Sequence, residues 1–344
     1  MMDALMNLSN PDLSTPAGWM PLVFLGLMGL SLLIYVVLDG YDLGVGLLML
    51  GASDAHKDQM VASIGPFWDA NETWLVLGVG ILLVAFPKAH GLILQALYLP
   101  VALMLLGLML RGVAFDFRFK APADWKPFWN GAFIAGSALA ALSQGWMLAR
   151  YITGFAEGPG YTAFALLIAL ALAAAYAMLG AGWLIMKMDG AVQALAVQRA
   201  KLAWPAVVLG LAGVSLMTPW VSATVSERWF RMPELIALLP IPLMTALSLL
   251  ALRALLNSHR VRGKLCWLPF ALMVAVMLLG ALGLAYSLYP YVLIDRLTVW
   301  QAAAAPKSLA VILWGVLVTL PAILIYTWFA YRVFWGKSSE LRYA

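Results

Sequence analysis

The sequence predicts an all-α integral membrane protein of nine spanning helices, on three observations. Hydrophobic residues fill 64% of the 344 positions while Asp, Glu, Lys and Arg together fill 11%, under half the roughly 25% of a soluble domain. Uncharged apolar runs of about 18 residues or more recur along nearly the whole chain. These runs show no period-2 alternation of polar residues and are rich in Leu, Ala, Met and Gly, which selects helices over the strands of a barrel. A soluble enzyme, a nucleic-acid binder and a secreted disulfide scaffold are excluded. With Cys266 as the one cysteine, the chain cannot build an internal disulfide, a C-x-x-C pair or an iron–sulfur ligand set.

Runs bounded by Pro, Gly and charge place the spans at about 20–50, 72–87, 92–111, 128–150, 161–186, 202–222, 234–256, 265–289 and 308–335. No Lys or Arg precedes Lys57, so the first run lacks the basic flank of a cleavable signal and is expected to remain a membrane helix. The second is short. It opens near Trp68-Asp69-Ala70-Asn71-Glu72 and is expected to start a turn or two before hydropathy alone suggests. Trp19, Trp125, Trp129, Tyr161, Trp204, Trp229 and Trp335 fall at span ends, as an interfacial aromatic belt requires. No connection much exceeds about 20 residues and none is Ser/Pro-rich, so residues 1–344 are expected to form a single membrane domain.

Nine spans put the termini on opposite sides. Connections after the first, third, fifth and seventh spans, with the C-terminal tail, hold 15 basic residues, and the other side holds 6. The positive-inside rule then predicts a periplasmic N-terminus and a cytoplasmic C-terminus, and reads the net charge of +5 as topology.

A carboxylate at the centre of a span costs about 2.5–3.5 kcal/mol on the insertion scale, so intramembrane acids call for a role. They concentrate in the first third. Asp39 and Asp42, three apart in Asp-Gly-Tyr-Asp-Leu-Gly-Val-Gly, share a helix face, and the glycines leave a strip that another helix can approach closely. Asp69 and Glu72 open the second span at the same end, and Arg111, Asp116 and Arg118 close the third there. Carboxylates crowded into one leaflet, with arginine to stabilise the ionised form, suit a proton route. Other readings stand beside this one: Asp69-x-x-Glu72 as a capping box, Asp42 and Arg111 as a structural ion pair joining the first and third spans, and the glycines as packing alone. His56, His90 and His259 fall in predicted connections and none is mid-span, so no axial haem pair or zinc or copper site is legible. P-loop, dinucleotide and Ser-His-Asp signatures are absent too.

Asp39-Gly-Tyr-Asp-Leu-Gly-Val-Gly, then Gly65-Pro-Phe-Trp-Asp-Ala-Asn-Glu-Thr-Trp, then Arg111-Gly-Val-Ala-Phe-Asp-Phe-Arg118 resemble, in wording and order, subunit II of the cytochrome bd quinol oxidases of bacteria. The wording match covers about 35–120, and length and span number fit throughout. Tyr41 stands where Phe is usual, Ala70 where Gly is usual, and Val79 interrupts a glycine run; none of these removes an ionisable group. The resemblance implies an inner-membrane subunit of two four-helix bundles plus a peripheral helix, paired with a haem-bearing subunit I. It puts two b-type haems, one d-type haem and the quinol site in that partner, leaves room for small single-span accessory subunits, and implies no cofactor bound by this chain. It further implies a proton path through Asp39 and Asp69, with Trp74 on an oxygen path. On the residues alone, Asp42 and Glu72 would tune the field of that path and Arg111 balance its charge. A proton-coupled transporter is the rival of another class; it would place charges at the midplane of two matching halves. A purely structural assembly subunit is a third.

Overall fold

The computed structural model describes residues 12–338. Its long helices are α1 (Pro16–Leu48), α3 (Trp68–Ala85), α4 (Pro87–Lys120), α5 (Lys126–Ile152), α6 (Pro159–Lys187), α7 (Gly190–Val221), α10 (Pro240–Leu256, preceded by the short α9, Glu234–Leu238), α11 (Leu268–Leu288) and α13 (Pro306–Val333). Among the described residues nine helical segments, with α9 and α10 counted as one, are long and apolar enough to cross a membrane. In hydrocarbon the backbone must satisfy its own polar groups, and helices do so within one segment. Proline sits in the first turn of α1, α4, α5, α6, α10, α11 and α13, where its missing N–H is no loss and its φ suits the helix.

Helix ends differ from expectation where charge misled the reading. The second span begins at Trp68, one turn earlier than its hydropathy, as expected. The third continues to Lys120 and also starts earlier, so His90 lies in the first turns of α4 and not in a connection. The sixth begins at Gly190, about three turns early, because its polar residues are bonded back to the protein: Gln193 donates to Ile185 O at 2.8 Å, and Arg199 to Leu48 O. Two short helices, α2 (Asp54–Ile64) and α8 (Ala223–Phe230), and a small antiparallel pair, β1 (Tyr291–Leu293) with β2 (Leu297–Thr298), fill connections. A one-turn helix, α12 (Val299–Ala302), follows β2.

The first helix is the hub, packing on α3, α5, α6, α11 and α13. From Asp39 to Gly46 every residue is buried on every side. Glycine makes this enclosure: a Cβ on Gly44 would stand 1.8 Å from Tyr176 O, and one on Gly180 would stand 2.5 Å from Gly44 C. The two backbones therefore touch across α1 and α6 at small residues, the means by which membrane helices gain packing without a hydrophobic drive between them.

Candidate functional site, a buried carboxylate and arginine cluster

The enclosed stretch of α1 carries the chemistry. Asp39 and Asp42 are both 0% exposed, and Arg111, reaching in from α4, is 1% exposed. Arg111 Nη1 stands 2.6 Å from Asp39 Oδ1, and its Nη2 donates to Glu72 of α3. The guanidinium also lies 5.9 Å from the ring of Trp68. Asp42 is held differently. Asn71 Nδ2 donates to Asp42 Oδ2 at 2.7 Å and to the Tyr41 hydroxyl at 2.9 Å.

One guanidinium thus faces three carboxyl groups in a low-dielectric interior, where like charges repel strongly. Three carboxyl groups around one cation leave an excess of acid that a bound proton would neutralise. Asp39 is engaged by Arg111 and by the Tyr35 side chain, while Asp42 Oδ1 and Arg111 Nε have no hydrogen-bond partner among the described residues. The cluster therefore retains lone pairs and an N–H with which a proton carrier could bond. Beside it runs a second polar chain: Gln144 Nε2 of α5 donates to Tyr35 OH at 2.8 Å, and Tyr176 OH of α6 donates to Gln144 Oε1 at 2.6 Å. Tyr35 is one turn before Asp39 on α1 and interacts with it electrostatically.

Of the expected site residues, Asp39, Asp42, Glu72 and Arg111 converge. Asp69 lies exposed in the first turn of α3, and Glu72, a turn further in, has a side chain 27% exposed. The two interact electrostatically. Asp69 is not a cap, since the N-cap position is Phe67. Arg111 pairs with Asp39 in place of the expected Asp42, which Asn71 already occupies. Asp116 is exposed on α4. Arg118 is buried two turns beyond Arg111 and belongs to a separate node, donating to Asp58 of α2 and to Asn130 of α5, with Lys126 2.7 Å from the same Asp58. Trp74 is 1% exposed, and its indole N–H has no partner among the described residues.

Sequence reasoning missed Asn71, Gln144, Tyr35, Tyr176, Tyr331 and Asp58. Gln144, an amide in the middle of an apolar run, and Asn71, inside the polar opening of the second span, were the signals available. Among the described residues no three His, Cys, Asp or Glu side chains are grouped to hold a metal ion. His56 is on α2, His90 at the start of α4, and His259 in a 3-10 turn.

Residues 20–334 match the family model for cytochrome bd terminal oxidase subunit II. The chain is 27% identical to cytochrome bd-I ubiquinol oxidase subunit 2 of Escherichia coli, with 91% of this chain and 94% of that protein covered. It is 26% identical to a probable cytochrome oxidase subunit 2 of Haemophilus influenzae, with 93% and 94% covered. Cytochrome bd ubiquinol oxidase subunit 2 of Bacillus subtilis is 37% identical over a shorter stretch, 35% of this chain and 36% of that protein. A solved bd oxidase from Geobacillus thermodenitrificans shares the fold, with a TM-score of 0.71 at 16% identity over 92% of this chain and 98% of that one. With nine apolar helices and a family match over nearly its whole length, the chain belongs to the cytochrome bd terminal oxidase subunit II family, as a multi-pass component of a bacterial inner-membrane terminal oxidase.

Proposed function

We propose that the chain is the haem-free subunit II of a quinol:O2 oxidoreductase, and that it gives the haem-bearing subunit I a route for protons from the cytoplasm. The observation that carries this reading is the cluster itself: two fully buried aspartates, a half-buried glutamate and one arginine inside membrane helices. Packing alone does not call for three acids around one cation. In the proposed order Asp69 collects a proton at the surface, Glu72 takes it one turn further in, and Asp39 passes it inward, with Asp42 and Arg111 setting the field. Asp116 and Arg118 serve structure, and Trp74 lines an oxygen path. The quinol site, two b-type haems and one d-type haem are assigned to subunit I, with small single-span subunits as further partners. The N-terminus is periplasmic and the C-terminus cytoplasmic. Helix neighbours support two four-helix bundles, α1, α3, α4 and α5 against α6, α7, α10 and α11, with α13 peripheral on α1 and α3. The acids lie near one end of three helices and not in two matching halves, which disfavours a transporter.

The test is O2 consumption per haem by the assembled complex. Asn keeps the shape of Asp without its exchangeable proton, so Asp39→Asn and Asp69→Asn are expected to slow turnover about tenfold or more while the haem spectrum persists. Glu at either position should retain more activity than Asn. Fully assembled Asn variants running at wild-type rates would make these residues packing groups and move proton uptake to the other subunit.

A further inference from the structure

Two cations from separate elements share an open cleft where α7 begins. Its volume is about 520 Å³, and it is lined by Ala191, Ala194, Leu195, Gln198 and Lys201 of α7 and by Arg262 of the 3-10 turn His259–Arg262, in the connection from α10 to α11. Small-ligand sites span roughly 300–1,000 Å³. No Asp or Glu occurs between Asp189 and Glu227 or between Glu234 and Asp295, so neither element brings an acid to the cleft. Asp189, just before α7, is taken by Lys337 at 3.1 Å. The neighbouring cations have other occupations: Arg199 donates to Leu48 O, and Arg253 lies 4.7 Å from the centre of the Trp204 ring. Lys201 and Arg262 are exposed and form no ion pair among the described residues. Two like charges facing one small volume repel, and an anion between them relieves the repulsion.

The place of the cleft says which anion. Trp204 follows Lys201 by three residues and Trp267 follows Arg262 by five, and tryptophan marks the headgroup level of a bilayer. Leu195, which lines the cleft, is followed by Leu202 and Leu209 at intervals of seven residues, about two helical turns, so the three lie on one side of α7. Leu202 and Leu209 are exposed, and the stripe runs about 20 Å from the cleft into the span. Positive charge at the helix start and bare leucine beyond it match a molecule that is anionic at one end and apolar at the other. We propose that Lys201 and Arg262 bind the phosphate of an acidic phospholipid whose acyl chain lies along Leu202 and Leu209. Basic pockets between helices at headgroup depth take such lipids. Free phosphate offers the same charge and makes no use of the leucines. The bound lipid bridges α7 to the connection between α10 and α11.

The experiment is native mass spectrometry of the assembled, haem-containing complex, stripped of loosely held lipid in detergent and titrated with phosphatidylglycerol or with phosphatidylcholine. Phosphatidylglycerol is expected to fill its first site at the lower concentration. Lys201→Gln and Arg262→Gln should each weaken that first site about fivefold, and the double variant about twentyfold or more. Lys201→Arg keeps the charge and should bind as wild type does. Lys120→Gln combined with Arg332→Gln removes two exposed cations from other helix ends and should leave the site intact; an equal loss there reduces the effect to net charge and overturns the proposal. Equal affinity for the two lipids, or undiminished binding by the double variant, overturns it too. Inorganic phosphate at the concentration of the lipid, compared with chloride of equal ionic strength, decides the source of the anion. Displacement of phosphatidylglycerol by phosphate alone overturns the lipid, and its retention supports it. A double variant that sheds a protein subunit and no lipid makes the cleft a protein contact, which also defeats the proposal. Should the double variant fail to assemble, the two single variants are read against Lys201→Arg by the same criteria.

Discussion

Arg111 is the residue on which the cluster balances. Its guanidinium is 1% exposed and meets Asp39 and Glu72 with two different nitrogens, a use of planar, forked geometry that Lys cannot reproduce. Removing one partner of a buried ion pair leaves the other charge stranded, typically at about 3–5 kcal/mol. Arg111→Met is therefore expected to lower the yield of haem-containing complex and the midpoint of its thermal loss, while Arg111→Met combined with Asp39→Leu should recover part of that stability without recovering turnover. A thermal midpoint unchanged in Arg111→Met would show that the pair contributes nothing to the fold. The acids of this site were legible because charge is scarce in an apolar chain. Their partners were less so: that Arg111 takes Asp39 and not Asp42 depends on Asn71 filling the other place, a choice made by helix rotation and invisible in spacing. Tyr41, a departure from the family wording, brings a hydroxyl that accepts from Asn71 and lies 2.8 Å from the Tyr331 hydroxyl.

At the scale of elements, the close passage of α1 and α6 sets the depth at which Asp39 and Asp42 are sealed. Gly44 and Gly26 lie on the same helix, yet a Cβ on Gly44 meets Tyr176 O at 1.8 Å while one on Gly26 meets nothing within 4 Å. Gly44→Ala must push the helices apart and is expected to cost about 1–3 kcal/mol, seen as a lower thermal midpoint of the purified complex; Gly26→Ala should leave it unchanged or raise it slightly, because Ala favours helix. Equal midpoints for the two variants would mean that the crossing is slack. Spans were readable from hydropathy and the glycine strip from its spacing, but helix ends were not wherever charged residues stay helical. Arg118 and Arg199 look like loop residues in a sequence window, and both are helical because their guanidiniums find acceptors on neighbouring segments: Asp58 and Asn130 for one, Leu48 O for the other. A windowed scale sees the charge and not the partner.

For the whole molecule the question is which side of the membrane the cluster opens to. The hydrogen bonds that tie distant span ends respect a strict alternation of sides. Lys187, ending the fifth span, donates to Phe334 O and Gly336 O beyond the ninth, and Lys337 returns to Met188 O and Asp189; Arg199, at the start of the sixth, reaches Leu48 O at the end of the first. On the opposite face Ala304 N, before the ninth span, donates to Ala85 O after the second, and Thr224, after the sixth, bonds Asp295 after the eighth. Arg111 and Asp42 belong to the halves of their helices nearer the first of these faces, where 15 of the 21 basic residues fall, although Arg342 lies outside the described residues. Basic loops resist translocation, so that face is expected to be cytoplasmic. A reporter active only in the cytoplasm should give signal when fused after residue 344 and stay silent when placed in the connection at 153–158. The reverse pattern would turn the cluster toward the periplasm, and with it the proposed direction of proton uptake.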